Sequence, residues 1–264
     1  MKNYMINYII INIIIILLFI IINYFLKNIQ ENYDNNKLKI CLYSYNFGNY
    51  RNEVKNIDVI KKIDSIDYYF FTENINSLQS NKWKIINYPI IDKNTFLNKN
   101  RFTVKTCKFD IPDILKQYDY IIHIDSKKYA FNYFNKNITL DKIYNIINQN
   151  KNIDIFFRTH SEYPNNVKNI YQEIERVIKR NLESSYYGNL WKNKLLNEKW
   201  TQKDAFIDCD FFIRKYSPQL NNKLIKIIDY LEYYKLQRDQ LVVPYIIQNP
   251  SNNIYYKILN KNFN

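Results

Sequence analysis

Tyr118-Asp119-Tyr120-Ile121-Ile122-His123-Ile124-Asp125-Ser126-Lys127 is the stretch whose reading decides the fold. Its centre, Tyr120 to Ile124, is apolar on consecutive residues rather than on alternate ones. That is the pattern of a strand covered on both faces, as in a parallel sheet. The strand ends on Asp125. A carboxylate at the end of a buried strand is costly unless it has a partner or a task. In open α/β sheets, ligands sit beyond the carboxyl ends of the strands. Asp125 is therefore the first candidate site residue. The plainer reading is that it caps the next turn.

Working outward, similar strands are expected at 38–43, 68–72, 83–88, 153–157 and 206–213. Between them, apolar residues recur at helical spacing. Val54, Ile57, Ile60 and Ile63 suggest one helix face, and 96–109 and Ile143, Ile146 and Ile147 two more. Val167, Ile170, Tyr171, Ile174, Val177 and Ile178 mark an amphipathic helix, and Leu220 to Leu231 a long one. Pro112 starts a helical turn, and Arg238-Asp239-Gln240 opens a short helix into the apolar run Leu241 to Ile247. Alternating strands and helices predict an α/β fold with a mostly parallel, Rossmann-like sheet and flanking helices, in one domain over 37–264.

Before it lies Tyr8 to Leu26, uncharged and almost wholly apolar. About 19 residues at 1.5 Å rise match the hydrocarbon thickness of a bilayer. This segment is expected to be an uncleaved transmembrane signal-anchor, after a tail at 1–7 and before a polar stem at 27–36. A cleaved signal peptide would need small residues after its apolar region, and Asn-Tyr-Phe-Leu-Lys supplies none.

Composition narrows the chemistry. The 264 residues contain only two glycines, Gly48 and Gly188, so no Gly-rich phosphate loop can be built. A bound phosphate must be held by cationic side chains, a metal or helix N-termini. The formal net charge is +13. It suits an anionic partner, but a sequence so rich in Asn, Ile, Lys and Tyr also acquires lysines through coding bias. No zinc module or RNA-binding signature is present, and nucleic acid is not an expected partner. Cys41, Cys107 and Cys209 form no C-x-x-C pair and are expected to fill core space.

Several residues could carry chemistry beside Asp125. In sugar-nucleotide enzymes an Asp-x-Asp at such a strand end holds a divalent cation on the diphosphate. Here the third position is Lys127, which could meet the phosphate directly. Arg101, Lys105 and Lys108 share one helix side at spacings of four and three, and could add positive charge or simply face solvent. Arg158-Thr159-His160 follows a strand. His160 could ligate a metal, contact phosphate or be structural. Arg238 and Asp239 could face a ligand or serve only to open a helix.

Together these pieces resemble the plant and bacterial glycosyltransferase-like family that includes the TOD1 and MUCI70 proteins. The resemblance runs from about Ile40 to Ile247. It is carried by CLYSYNFGNY (41–50), DYYFFTEN (67–74), Trp83, the Arg101–Lys105 helix and YDYIIHIDSK (118–127). It continues through RTHSEYPNNVKNIYQE (158–173), FFIRK (211–215) and RDQLVVPY (238–245). The resemblance implies a GT-A-like fold, a nucleotide-sugar donor and a Golgi-type single-pass anchor; the expected localisation is a type II single-pass protein of a Golgi-, ER-like or other endomembrane. The resemblance also implies that Asp125 sits at the donor phosphates and that His160, Glu173, Arg238 and Asp239 line the site. The expected assignments are Tyr43, Arg101, Lys105, Asp125, Ser126, Lys127 and Arg238 at the donor, Asp239 and Glu173 in catalysis, and Asp125 with His160 on a Mn²⁺ or Mg²⁺ ion. Lys127 stands where an acidic or amide side chain is more usual, which leaves the metal open, and Glu73 stands where Asp is more usual. The expected function is transfer of a hexose from a nucleoside-diphosphate sugar to a glycan or glycoprotein. The alternative is a membrane-tethered, non-catalytic binding or structural protein.

Overall fold

The computed structural model of the protein describes residues 17–24, 38–48, 57–161, 163 and 165–260. Residues 17–24 are helical with exposed side chains. The remainder of the expected span at 8–26, the tail at 1–7 and the stem at 27–36 lie outside the described residues. Among the described residues, no helix is long and apolar enough to cross a membrane. The chain divides into two compact units, 1–38 and 39–264.

The second unit is a mixed α/β fold around a seven-stranded, mostly parallel sheet. Its strands are β1 (Ile40–Tyr45), β2 (Ile66–Thr72), β3 (Lys84–Asn87), β4 (Tyr120–Ile124), β5 (Ile155–Thr159), β6 (Ile207–Lys215) and β7 (Tyr256–Leu259). They lie in the order β3-β2-β1-β4-β6-β5-β7. Strand β6 runs antiparallel to β4 and β5, while every other neighbouring pair is parallel. β1 and β4 are buried at every residue, as continuous apolar runs require.

The helices are α1 (Lys99–Phe109), α2 (Lys128–Asn137), α3 (Leu140–Gln149), α4 (Ile170–Lys179), α5 (Ser185–Asn197), α6 (Pro218–Tyr233) and α7 (Val243–Gln248). Five of them start on a side-chain cap. Asn98, Thr139, Asn169, Ser184 and Ser217 each accept the N–H three residues on, which contributes about 1 kcal/mol per helix. One face of the sheet meets α1, where Cys107 packs with Tyr43, Tyr45 and Phe71. That face continues into the larger core of α4, α5 and α6, around Phe157, Trp191, Phe212 and Leu224. The other face meets α2, where Phe131 stacks on Trp83 and Phe134 lies beside Phe211. All three cysteines are free and buried.

Most expected elements stand within a few residues of their places. The exception is the helix face from Val54 to Ile63. Residues 57–59 make one 3-10 turn, and Ile60 and Ile63 are buried beyond it without helix. Residues 54–56 lie outside the described residues. Helices α2 and α5 and strand β7 were not anticipated. α5 buries only Gly188, Trp191 and Leu195, too narrow a stripe to show as periodicity. β7 is an edge strand with a lysine at its centre.

Gly48 fixes the exit of β1. Its φ is +66°, and its N–H donates to Glu73 Oε1 at 2.6 Å. A Cβ there would meet the Asn100 side chain at the start of α1. Gly48→Ala is expected to lower stability by about 1–3 kcal/mol, the usual cost of a non-glycine residue forced into this region. The urea unfolding midpoint checks it.

Candidate functional site

The reversed direction of β6 builds the site. β1, β4 and β5 end at the edge of the sheet where β6 begins, so residues from all four strands converge. The Asp125 N–H donates to the Asp210 carbonyl at 2.8 Å, which sets the two chains side by side.

Asp125 is the hub. Its Oδ1 accepts from Tyr45 Oη at 3.3 Å, Lys108 Nζ at 3.3 Å and His123 Nε2 at 3.1 Å, and its Oδ2 accepts from Lys127 Nζ at 2.6 Å. Burial pushes the Asp125 carboxyl up. Lys108, Lys127 and His123 outweigh that and hold it well below the usual carboxylate range. Lys108, 2 % exposed, also pairs with Asp239 Oδ2 at 3.0 Å, and Lys105 pairs with Asp239 Oδ1 at 2.7 Å. Burial again opposes ionisation of Asp239, and the two lysines again win and hold it low. Burial would discharge Lys108, and its two carboxylates keep its proton affinity high.

Two cavities open on this cluster and share Lys108, Asp125, Lys127, Arg238 and Asp239. The first, about 230 Å³, adds Tyr45, Phe47, Arg101, Lys105, Ser126, Leu182 and Gln237. Five cationic side chains line it against two carboxylates. Arg101 bonds Gln237, and Arg238 Nε is buried without a hydrogen-bond partner. The backbone of this edge is held from behind. Glu183 accepts the Gln237 N–H at 2.8 Å, and Trp191 Nε1 donates to the Leu241 carbonyl at 2.9 Å.

The second cavity, about 340 Å³, adds Tyr129, His160, Ser161, Arg176, Asp208, Asp210 and Gln240. Arg158 sits beneath it. Its guanidinium donates to Asp208 at 2.8 Å and to both Asp210 oxygens at 2.7 Å, and packs over the Tyr133 ring at 4.3 Å. One cation thus serves two carboxylates. Burial and the Asp208 charge raise the Asp210 carboxyl to about 7 against the pull of Arg158.

Of the residues singled out in the sequence, Arg101, Lys105, Asp125, Ser126, Lys127, Arg238 and Asp239 line the first cavity, and His160 lines the second. Tyr43 does not reach either. It is fully buried and donates its hydroxyl to the Lys108 carbonyl at 2.9 Å, so it supports the site from below, and Tyr45 takes the lining position. Glu173 also lies outside both. It is fully buried and grips Arg176 at 2.6 and 2.8 Å, and it is Arg176 that faces the cavity. Asp239 is at the site, but two ammonium groups make it a poor proton acceptor. Asp208 and Asp210 were missed. The signal was present: two carboxylates at alternate positions of an apolar strand, Phe206 to Ile213, are too costly to be there without a partner.

The residues do not fit a divalent cation at Asp125. Both carboxylate oxygens are taken by protein donors, and an ammonium sits on Oδ2. Among the described residues, no three His, Cys, Asp or Glu side chains group as a metal site. No protein-family model matches the chain, and no curated protein matches it.

His123 is sandwiched between Tyr43, Tyr45 and Phe212 at 4.7–5.3 Å. Burial lowers it from 6.5 to about 4, so it is neutral and donates to Asp125. The unfolded chain gains a proton between those values that the folded one refuses. Stability therefore falls as pH drops from 6.5 to about 4, by roughly 3 kcal/mol from this group. His123→Phe should remove that part of the acid sensitivity, read as a smaller loss of urea midpoint between pH 7 and pH 4.5.

Proposed function

We propose that the protein is a GT-A-like glycosyltransferase that moves a hexose from a nucleoside-diphosphate sugar to a glycan or glycoprotein hydroxyl. The observation that carries this reading is the first cavity, whose cations outnumber its carboxylates at the ligand-binding edge of the sheet. The strand order with its single reversed strand supports a GT-A-like sheet, an argument at the level of fold and not of chemistry. The resemblance to the TOD1 and MUCI70 family points the same way.

In this reading, Arg101, Lys105, Lys127 and Arg238 surround the diphosphate, and the acceptor enters the second cavity. The acceptor oxygen attacks the anomeric carbon while its proton passes to Asp210. The bond from that carbon to the phosphate oxygen breaks, and its electron pair leaves on the nucleoside diphosphate. The lysines and arginines are in place before that charge develops, which is where fixed positive groups lower a barrier most. Asp239 is the counter-ion that holds Lys105 and Lys108 in position. The apolar stretch 8–26 supports a single-pass membrane anchor, and the type II orientation in a Golgi- or ER-like membrane goes with the glycosyltransferase reading. Extraction of cell membranes with alkaline carbonate should leave the full chain in the pellet, and its release would remove the anchor from the reading.

The test is a panel of nucleotide sugars, scored for binding and for slow hydrolysis with water as acceptor. One donor should bind and turn over. Binding without any turnover would favour the alternative of a tethered, non-catalytic binder. Asp210→Asn should bind that donor within about threefold of the parent and lose about 10²–10⁴ in rate, the usual contribution of a general base. Asp210 works as its carboxylate, so the parent rate should fall as pH drops through about 7. Asp208→Asn removes the neighbouring charge and should move that fall to lower pH. An unchanged rate in Asp210→Asn would take the base role from it.

A further inference from the structure

Asp125 lies where a sugar-nucleotide enzyme would place a metal ligand, yet its surroundings already do a metal's work. A divalent ion must approach a carboxylate oxygen to about 2.0–2.6 Å. At Asp125 Oδ2 the Lys127 ammonium stands at 2.6 Å, and Oδ1 receives three donors, one of them the Lys108 ammonium at 3.3 Å. Lys108 is 2 % exposed and tied to both Asp125 and Asp239, so swinging aside would break two ion pairs and leave each carboxylate with one lysine instead of two. A metal here would displace one lysine and be repelled by the other.

Charge balance leads to the same place. The first cavity holds Arg101, Lys105, Lys108, Lys127 and Arg238 against Asp125 and Asp239, a formal excess of three positive charges. The diphosphate of a nucleotide sugar carries two negative charges. With a divalent cation attached it is neutral and would leave that excess unchanged. Without one, the diphosphate removes most of it. The buried Nε of Arg238 has no hydrogen-bond partner, and a phosphate oxygen would supply one.

We infer that the site binds the diphosphate of its ligand without a divalent cation, Lys108 and Lys127 supplying the positive charge a metal would otherwise bring. The inference deepens the proposed function and rests on its donor class. Lys127 lines both cavities and is more exposed than Lys108. It is held by Asp125 in the free protein and becomes available to phosphate as a point charge with three donors. Lys108 stays behind as the fixed counter-ion. Departure of the nucleoside diphosphate is then assisted by the ammonium and guanidinium groups of the cavity, without a metal ion.

The experiment uses the full chain and calorimetric titration with uridine diphosphate, guanosine diphosphate and inorganic pyrophosphate, first in EDTA and then with Mn²⁺. A nucleoside diphosphate should bind in EDTA, with Kd changing less than about threefold when Mn²⁺ is added. Lys127→Ala should weaken binding by about tenfold or more, the effect of one charge-assisted contact, and Mn²⁺ should not restore it. Lys127→Asp adds a second carboxylate beside Asp125 and should make binding depend on Mn²⁺. A nucleoside diphosphate that binds the parent only with Mn²⁺ would overturn the inference and leave the donor reading standing. Pyrophosphate binding in EDTA with no nucleotide bound would uphold the metal-free site and overturn the nucleotide donor. No binding of any of the three in EDTA overturns the inference, and the parent chain alone suffices to show it.

Discussion

The ammonium group of Lys108 is the contact on which the rest of the site depends. It joins Asp125, at the end of β4, to Asp239, on the turn before α7, from its own place in α1. Three segments distant in sequence are thus fixed by one buried charge. It offsets the repulsion between the two carboxylates, since like charges in low dielectric repel strongly. Each carboxylate has a second lysine, Lys127 on Asp125 and Lys105 on Asp239, but only Lys108 touches both. The site is therefore rigid before any ligand arrives. That rigidity is what electrostatic stabilisation of a departing phosphate needs, since charges already in place do not reorganise as the reaction proceeds.

The single reversed strand has the second structural role. Were β6 parallel to β4, its first residues would lie at the opposite edge of the sheet. Reversed, it brings Asp208 and Asp210 beside Asp125 and under the end of β5, where Arg158 meets them. The ladder between β5 and β6 shifts register between Phe157 and Arg158. Such irregularities often re-aim a side chain next to a site, and here the first residue past the shift is the arginine that holds both aspartates.

How much of this the sequence disclosed follows from which forces act locally. The buried strand ending at Asp125 was legible because continuous apolar residues and a terminal carboxylate are both one-dimensional signals. The spacing of Arg101, Lys105 and Lys108 put them on one helix side but left open whether that side met solvent or a ligand, and the structure brings all three to the cavity. The partnership of Lys108 with two aspartates more than a hundred positions apart was not legible, because nothing local records it. The direction of β6 was not legible either, since strand direction is set by chain connection and packing rather than by composition. Without that direction, Asp208 and Asp210 could not be placed at the same edge as Asp125. Tyr43 and Tyr45 show the limit most simply. They lie two residues apart and both belong to the apolar cluster that packs on α1. Only the three-dimensional end of β1 decides that one supports the floor and the other lines the cavity.

The two aspartates that could serve as a proton acceptor illustrate how environment, rather than residue type, divides the labour. Asp239 has two ammonium neighbours within 3.0 Å and keeps its charge far into acid. Asp210 shares one guanidinium with a second carboxylate and lies close to neutrality. A group bound that firmly to its charge has little affinity for an incoming proton, and one poised near 7 has more. Acid and base roles in enzymes are commonly separated by opposed shifts of this kind. The same contrast explains the two cavities. In the proposed reading, the cavity where cations exceed aspartates takes the anion, and the one where Asp208 and Asp210 share Arg158 takes the proton. The proposed transfer needs both kinds of imbalance within reach of one ligand, and the edge formed by β1, β4, β5 and the start of β6 holds them together.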